Sequence, residues 1–188
     1  LMLDDAHGFG ICGPQGRGSL AAAGLTGANA SPRVLYMGTL SKSAGVAGGF
    51  VAGSNTLIEW LLQRTRSYTF ATAAPGMLAR ALQQSLSAME EGDHLRSQLQ
   101  ARIAQLRAGL APVLAITGWQ LLPSNTPIQA LVIGDNSKAL QLMEALRERS
   151  IWVPAIRPPT VAAGTARLRI ALSAAHTPQD IVQLVNAL

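Results

Sequence analysis

Two hydrophobic periods run through this chain and confine it to a layered α/β fold. Short apolar runs bounded by glycine, Val34-Leu35-Tyr36-Met37 and Gly49-Phe50-Val51-Ala52, have the length of strands buried inside a sheet. The chain opens on a third run, Leu1-Met2-Leu3, closed by Asp4-Asp5. It has no preceding turn or cap and reads as a strand cut at its edge, so the chain is expected to be a fragment. Between the strands, apolar residues recur at helical spacing. Ser54 or Asn55 is placed to cap a helix through Thr65 that carries Leu57, Leu61 and Leu62. Pro75 suits the first turn of a helix with Leu78, Leu82, Leu86 and Met89, ending near Gly92. Asp93 to Ala111 carries Leu95, Leu99, Ile103, Leu106 and Leu110 on one stripe, and Pro112 is expected to stop it.

Beyond residue 90 the pattern changes. Ile128 to Ile133 predicts a strand, Ser137 to Glu148 a helix, and Ile151-Trp152-Val153 a further short run. The alternation Arg167-Leu168-Arg169-Ile170-Ala171-Leu172 predicts a strand with one wet face. Thr177-Pro178-Gln179-Asp180 supplies a cap, a first-turn proline and an acid at the third helical position, which together open a closing helix. Two segments are expected, 1–90 and 91–188, the second with the smaller sheet.

Composition removes several classes. With 48% apolar and 13% charged residues in 188, the chain is too apolar for disorder and long enough to bury a core without cross-links. Its single cysteine, Cys12, forms no internal disulfide, which suits a reducing cytoplasm. No apolar run approaches the ~20 residues of a membrane span. The net charge of +5 comes mostly from dispersed arginines, with 4% aromatic residues, so no nucleic-acid stripe is expected.

Gly8-Phe9-Gly10-Ile11-Cys12-Gly13 matches the dinucleotide-binding pattern, but its context does not. That fingerprint needs a helix opening on the glycines and an acid about 20 residues on. Here Pro14-Gln15-Gly16-Arg17-Gly18 continues the loop, and no acidic residue falls between Asp5 and Glu59.

The chemistry is expected elsewhere. Asp4 ends an apolar strand, where ligands collect in open α/β sheets, and His7 follows three residues on. A carboxylate there can hold a cationic ring nitrogen, and an imidazole can bond a phenolic oxygen. Taken singly, Asp-Asp before glycine is commonly a turn and a lone histidine is commonly packed. Lys42, one of two lysines, sits among Thr39, Ser41, Ser43, Ala44 and Gly45, small uncharged neighbours that favour the neutral amine of a Schiff base. Arg167 and Arg169 read as solvated or ion-paired, His176 as a helix-entry residue, and His94 as surface electrostatics. Cys12 has no visible base or metal partner.

Asp4-Asp5-Ala6-His7-Gly8, Gly13-Pro14-Gln15-Gly16-Arg17-Gly18, Gly38-Thr39-Leu40-Ser41-Lys42 and Ile156-Arg157-Pro158-Pro159-Thr160-Val161 resemble the α-oxoamine synthases, pyridoxal-phosphate enzymes of the aspartate-aminotransferase fold. The resemblance spans the whole chain but only the C-terminal half of the family's usual length. It implies an α/β fold: residues 1–90 as the C-terminal part of a large cofactor-binding domain with a mostly parallel sheet, and 91–188 as a small domain with an antiparallel sheet. It also implies roles. Lys42 would carry pyridoxal 5'-phosphate as a Schiff base and then move the substrate's proton. Asp4 would pair with the pyridinium nitrogen, His7 with the phenolic oxygen, and Thr39 with the phosphate. Thr72 would reach the phosphate of a neighbouring subunit, which implies a homodimer with shared active sites; Ala71 stands where serine is common. Arg157 would grip the amino-acid carboxylate, and Ala162 stands where proline is common. The implied reaction joins L-alanine to pimeloyl-CoA, or to a pimeloyl-carrier thioester, with loss of CO2. A sister acyltransferase, such as glycine C-acetyltransferase or a serine-using synthase, and a catalytically incomplete fragment or interaction module are the competing expectations.

Overall fold

In the computed structural model, which describes residues 1–188, the chain divides into two units, Leu1–His94 and Leu95–Leu188. In the first, β1 (Met2–Asp4) and β2 (Leu35–Thr39) pair in parallel, and β3 (Gly49–Ala52) returns antiparallel to β2. Because side chains alternate along a strand, the register sorts this sheet into two faces. Leu3, Tyr36, Gly38 and Phe50 share one, and Asp4, Met37, Thr39 and Val51 share the other. On the first face the Phe50 ring lies 5.1 Å from Phe9 and 5.6 Å from Tyr36, centroid to centroid. The second face is open, with Met2 65% and Val51 44% exposed. Strands expected to be buried on both sides are covered on one within residues 1–188, where no helix packs extensively against this sheet.

The glycine-rich segment expected as plain loop folds into a single 3-10 turn, Pro14–Gly16, and a one-turn helix α1 (Ser19–Ala22). Neither is a long helix opening on Gly8, Gly10 and Gly13, so the dinucleotide fingerprint lacks its structural context here as well. The helix expected after Ser54 is α2 (Asn55–Arg64), with Leu61 half-buried and Leu57 and Leu62 exposed; the short α3 (Arg66–Thr69) follows it. In α4 (Gly76–Glu90) the half-buried side chains are Leu78, Leu82, Ser85 and Met89, the helical stripe read in the sequence, with Leu86 more exposed.

The second unit is a four-stranded antiparallel sheet in the order β4 (Gln120–Leu121), β5 (Ile128–Gly134), β7 (Ala166–Ala171), β6 (Ala155–Ile156). Its core collects Leu131, Leu168 and Ile170 from the strands and Leu99, Ile103, Leu106 and Leu110 from α5 (Asp93–Thr117). Leu146 of α6 (Asn136–Glu148) and Ile181 and Leu184 of α7 (Pro178–Ala187) complete it. Along β7, Ala166, Leu168 and Ile170 are buried while Arg167 and Arg169 are half-exposed, the wet face expected from their alternation.

Two expectations about α5 need correction, and one short apolar run can be placed. Pro112 does not end α5, which runs on to Thr117. Proline removes the donor to the carbonyl of Ala108, but Ala108 and Pro112 are both exposed, so water can take that carbonyl. The helix stops instead at Gly118, whose φ of +70° suits a left-handed C-terminal residue and whose N–H bonds Leu114 O at 3.1 Å. Leu95, placed on the α5 stripe, is 45% exposed. The short run Ile151-Trp152-Val153 lies ahead of the strand: Trp152 is 71% exposed, and pairing begins only past Pro154, whose carbonyl accepts from Arg169 N.

At the start of α7, Asp180 accepts from Thr177 N at 2.7 Å and from the Thr177 hydroxyl at 2.8 Å, and Thr177 Oγ1 accepts from Asp180 N, the reciprocal cap expected from the sequence. The bonds from Thr177, backbone first and then hydroxyl, hold the Asp180 carboxyl below the ordinary aspartate value. Its folded pKa is the lower one, so its contribution is present above the unfolded value and is lost as pH falls through the folded one. Acid titration followed by NMR should show the Thr177 and Asp180 amides shifting together as that carboxylate protonates, and Asp180→Asn should abolish the step. Leu106 is fully buried, so Leu106→Ala should cost about 3 kcal/mol in denaturant unfolding, against less than ~1 kcal/mol for Leu95→Ala.

Candidate functional site

Parallel pairing brings the carboxyl ends of β1 and β2 side by side, the edge at which open α/β sheets collect ligands. Asp4 lies opposite Met37, and Thr39 follows on the same open face about 7 Å further along β2. Lys42 sits in the turn just beyond. That turn is closed by Gly45 N–H to Lys42 O at 3.0 Å, Val46 N–H to Leu40 O at 2.9 Å and Leu40 N–H to Gly48 O at 2.9 Å. Ala44 is buried beneath it, and its carbonyl accepts from the Ser85 hydroxyl of α4 at 2.8 Å, which ties the turn to that helix.

At this edge the side chains of Asp4, Thr39 and Lys42 are largely uncommitted within the chain. One Asp4 oxygen accepts from Ala6 N at 2.9 Å and the other takes no protein hydrogen bond. The exposed Lys42 ammonium has no protein partner, and Thr39 Oγ1 shares one bond with Ser41 Oγ at 3.2 Å. His7 is exposed in the turn after β1. Thr72 lies in the exposed stretch without helix or strand after Phe70, itself 91% exposed. The structure therefore gathers Asp4, His7, Thr39 and Lys42 about one sheet edge and puts Thr72 on a separate exposed strip of the same unit.

Arg157 belongs to the second unit. It follows β6 on the rim of an open depression of about 310 Å³ lined by Ala155, Ile156, Pro158, Pro159 and Thr160. Its carbonyl accepts from Thr160 N at 3.0 Å, and its exposed guanidinium has no protein partner.

The side chains read as structural are committed. His176 Nδ1 accepts from Ser173 N at 3.0 Å, and its carbonyl accepts from Arg102 at 3.0 Å, as suits a helix-entry residue. Arg167 donates to the carbonyl and hydroxyl of Thr165, both at 3.0 Å, rather than to an acid. Burial, with the charge of Asp5 next, pushes the Cys12 thiol up against a smaller opposing hydrogen bond from Ser19; a protonated thiol is a poor nucleophile.

Asp5 stands in the Asp4–Gly8 motif with no expected role, and Ser19 and Tyr36 stand in no motif, yet the three support the site from below. Successive strand residues face opposite ways, so only one of Asp4 and Asp5 can face the open edge. Asp5, 3% exposed, turns to the covered face, where it accepts from Ser19 N at 2.8 Å, the Ser19 hydroxyl at 2.5 Å and the Tyr36 hydroxyl at 2.6 Å. A Cβ on Gly8 or Gly18 would collide with that carboxylate, and Gly18 also holds a φ of +91°, which accounts for both glycines. Alternation applied to the Asp-Asp pair was the available signal.

This fold and this edge define the class. The chain belongs to the aminotransferase class I and II family, whose model matches residues 1–188, and that family consists of pyridoxal-phosphate enzymes. Among individual relatives, it is 72% identical over all 188 residues to 8-amino-7-oxononanoate synthase of Delftia acidovorans, of which it covers 46%. The crystal structure of 8-amino-7-oxononanoate synthase from Francisella tularensis superposes with a TM-score of 0.84 at 27% identity, over 100% of this chain and 53% of that one. A variant serine palmitoyltransferase from S. paucimobilis, solved with a bound PLP–myriocin aldimine, matches with a TM-score of 0.84 at 29% identity, over 99% of this chain and 45% of that one. The chain thus spans about half the length of the curated relatives it matches. The α/β architecture and the likeness to the α-oxoamine synthases expected from the motifs both hold.

Burial, then the hydrogen bond to Asp5 and its charge, pushes the Tyr36 phenol above the ordinary tyrosine range. Its folded pKa is the higher one, so its contribution is complete below the unfolded value near 10 and declines as pH rises above it. Alkaline titration followed by phenolate absorbance should show Tyr36 ionising only as the first unit unfolds, and Tyr36→Phe should remove that late step.

Proposed function

We propose that the full-length protein carrying this sequence is an 8-amino-7-oxononanoate synthase, joining L-alanine to a pimeloyl thioester with loss of CO2 in biotin biosynthesis. The observation that supports this reading is that Asp4 and Thr39 share one face at the carboxyl ends of two adjacent parallel strands, with Lys42 in the turn that follows the second. The 72% identity to the Delftia acidovorans enzyme favours this member over the serine- and glycine-using synthases.

The residues present fit pyridoxal phosphate. An acid with one oxygen unbonded, an unpaired lysine and an open sheet face suit a flat, anionic, ring-nitrogen-bearing group. When bound, the cofactor supplies an electron sink for charge developing at the substrate's α-carbon. Asp4 is proposed to hold a proton on the ring nitrogen, His7 to bond the phenolic oxygen, and Thr39 to bind the phosphate. Lys42 Nζ anchors the cofactor and moves the α-proton. The planar Arg157 guanidinium binds the alanine carboxylate through two parallel bonds. Thr72, on its exposed strip, reaches the phosphate held by a second copy, so the working unit is a homodimer. Residues 1–90 would form part of the cofactor-binding domain and 91–188 the small domain, in a cytoplasmic enzyme.

Borohydride reduction of the full-length protein loaded with pyridoxal phosphate should attach the cofactor to the Lys42 peptide, as read by mass spectrometry. Retention of a reducible adduct at this site in Lys42→Ala would overturn the assignment. Arg157→Ala should raise KM for L-alanine roughly 10- to 100-fold with the thioester KM unchanged, the loss expected for charge-assisted hydrogen bonds. Thiol release across a panel of amino acids and acyl thioesters should favour alanine with the pimeloyl donor; preference for glycine with acetyl-CoA would place the protein among the sister enzymes.

A further inference from the structure

We propose that Asp5 is a positioning residue for this site: its buried carboxylate clamps the 5–19 loop against β2 and so sets where Asp4 and His7 present their polar atoms. The inference rests on the cofactor reading above.

Asp5 is bonded through every polar group it has. Its N–H extends the parallel ladder to Met37 O at 2.7 Å, and its carbonyl accepts from Gly8 N at 3.0 Å and Phe9 N at 2.9 Å. Its carboxylate takes the two donors of Ser19 and the hydroxyl of Tyr36. Ala6 and His7 therefore span the short gap between Asp4 at the end of β1 and a turn closed on Asp5 itself. Phe9, at the far side of that turn, packs edge-on against Phe50, which in turn packs against Tyr36. Three strands and α1 thus converge on the segment that carries His7.

A buried carboxylate is a poor way to gain stability alone, since desolvation offsets much of what its bonds return. Its advantage is geometric. Three donors converging on two oxygens permit one loop arrangement, whereas an apolar contact tolerates sliding. An amide in place of the carboxylate keeps its oxygen for the Ser19 amide and the Tyr36 hydroxyl only by donating to Ser19 Oγ, so the bond to Ser19 Oγ reverses and all three lose their charge assistance.

Two variants of the full-length protein test this. Tyr36→Phe removes one donor and keeps the ring against Phe50; Asp5→Asn keeps the shape and reverses one hydrogen-bonding atom. Amide hydrogen exchange at Ala6 to Phe9, read without cofactor, should quicken roughly tenfold, as for loss of a charge-assisted bond. With pyridoxal phosphate bound, the pH profile of its absorbance should move while borohydride still labels Lys42. Unchanged exchange at those amides together with an unchanged absorbance profile, alongside a lowered Tm, would reduce Asp5 to a structural group and overturn the proposal. If Asp5→Asn does not fold, Tyr36→Phe decides by the same two readouts. Failure of the cofactor reading shows separately, as absence of label on Lys42 in the unsubstituted protein.

Discussion

The parallel pairing of β1 with β2 is the constraint on which the first unit depends. It extends from the Leu35 amide, bonded to Leu1 O, to the Asp5 amide, bonded to Met37 O, and so aligns two carboxyl-terminal strand ends at one edge. With the strands in register, alternation sends Asp4 and Thr39 to the open face and Asp5 and Tyr36 to the covered one. A one-residue slip would exchange them, burying the acid proposed for the cofactor and exposing the one that organises the loop. The Asp5 bonds to Ser19 and Tyr36 hold that register from below, and the Ser85 bond to Ala44 holds the lysine turn from the side.

The two units differ in how they are built. The second has a buried apolar centre, with Leu106, Leu110, Leu131, Leu146 and Leu168 fully enclosed and Gln129 buried among them. Gln129 is satisfied by Arg107 at 2.6 Å and by the carbonyls of Ser124 and Thr126, so its burial leaves no polar atom unpaired. The first unit rests on glycine turns, a three-ring aromatic cluster and hydrogen bonds to one carboxylate, and it leaves a sheet face and much of α2 exposed. Lys42 in the first unit and Arg157 in the second have no protein partner for their side chains, while Arg167, Arg107 and His176 are bonded in place.

The long helices and the strand β7 were legible because a period of 3.6 sustained over ten or more residues, or strict alternation along a whole strand, is hard to mistake. Thr177 and Asp180 were legible for a local reason, since both halves of a cap lie within one turn. Pro112 misled because its cost depends on whether the freed carbonyl meets solvent, which a linear pattern does not state. The turn α1 and the strand β4 were missed because they are held by contacts distant in sequence, Ser19 by Asp5 and Gln120 by Val132.

What the sequence determined by itself was chemical kind: an acid and a histidine after one strand, a lysine after another, and an arginine before two prolines, in spacings that mark the family. Those are properties of residues and their order. Tertiary structure alone decided which of two adjacent aspartates faces the open edge, that Tyr36 and Ser19 hold the other, and that the lysine turn is fastened to α4. Side-chain direction follows from strand register, and register follows from pairing between segments about thirty residues apart, a relation that no local stretch of sequence contains.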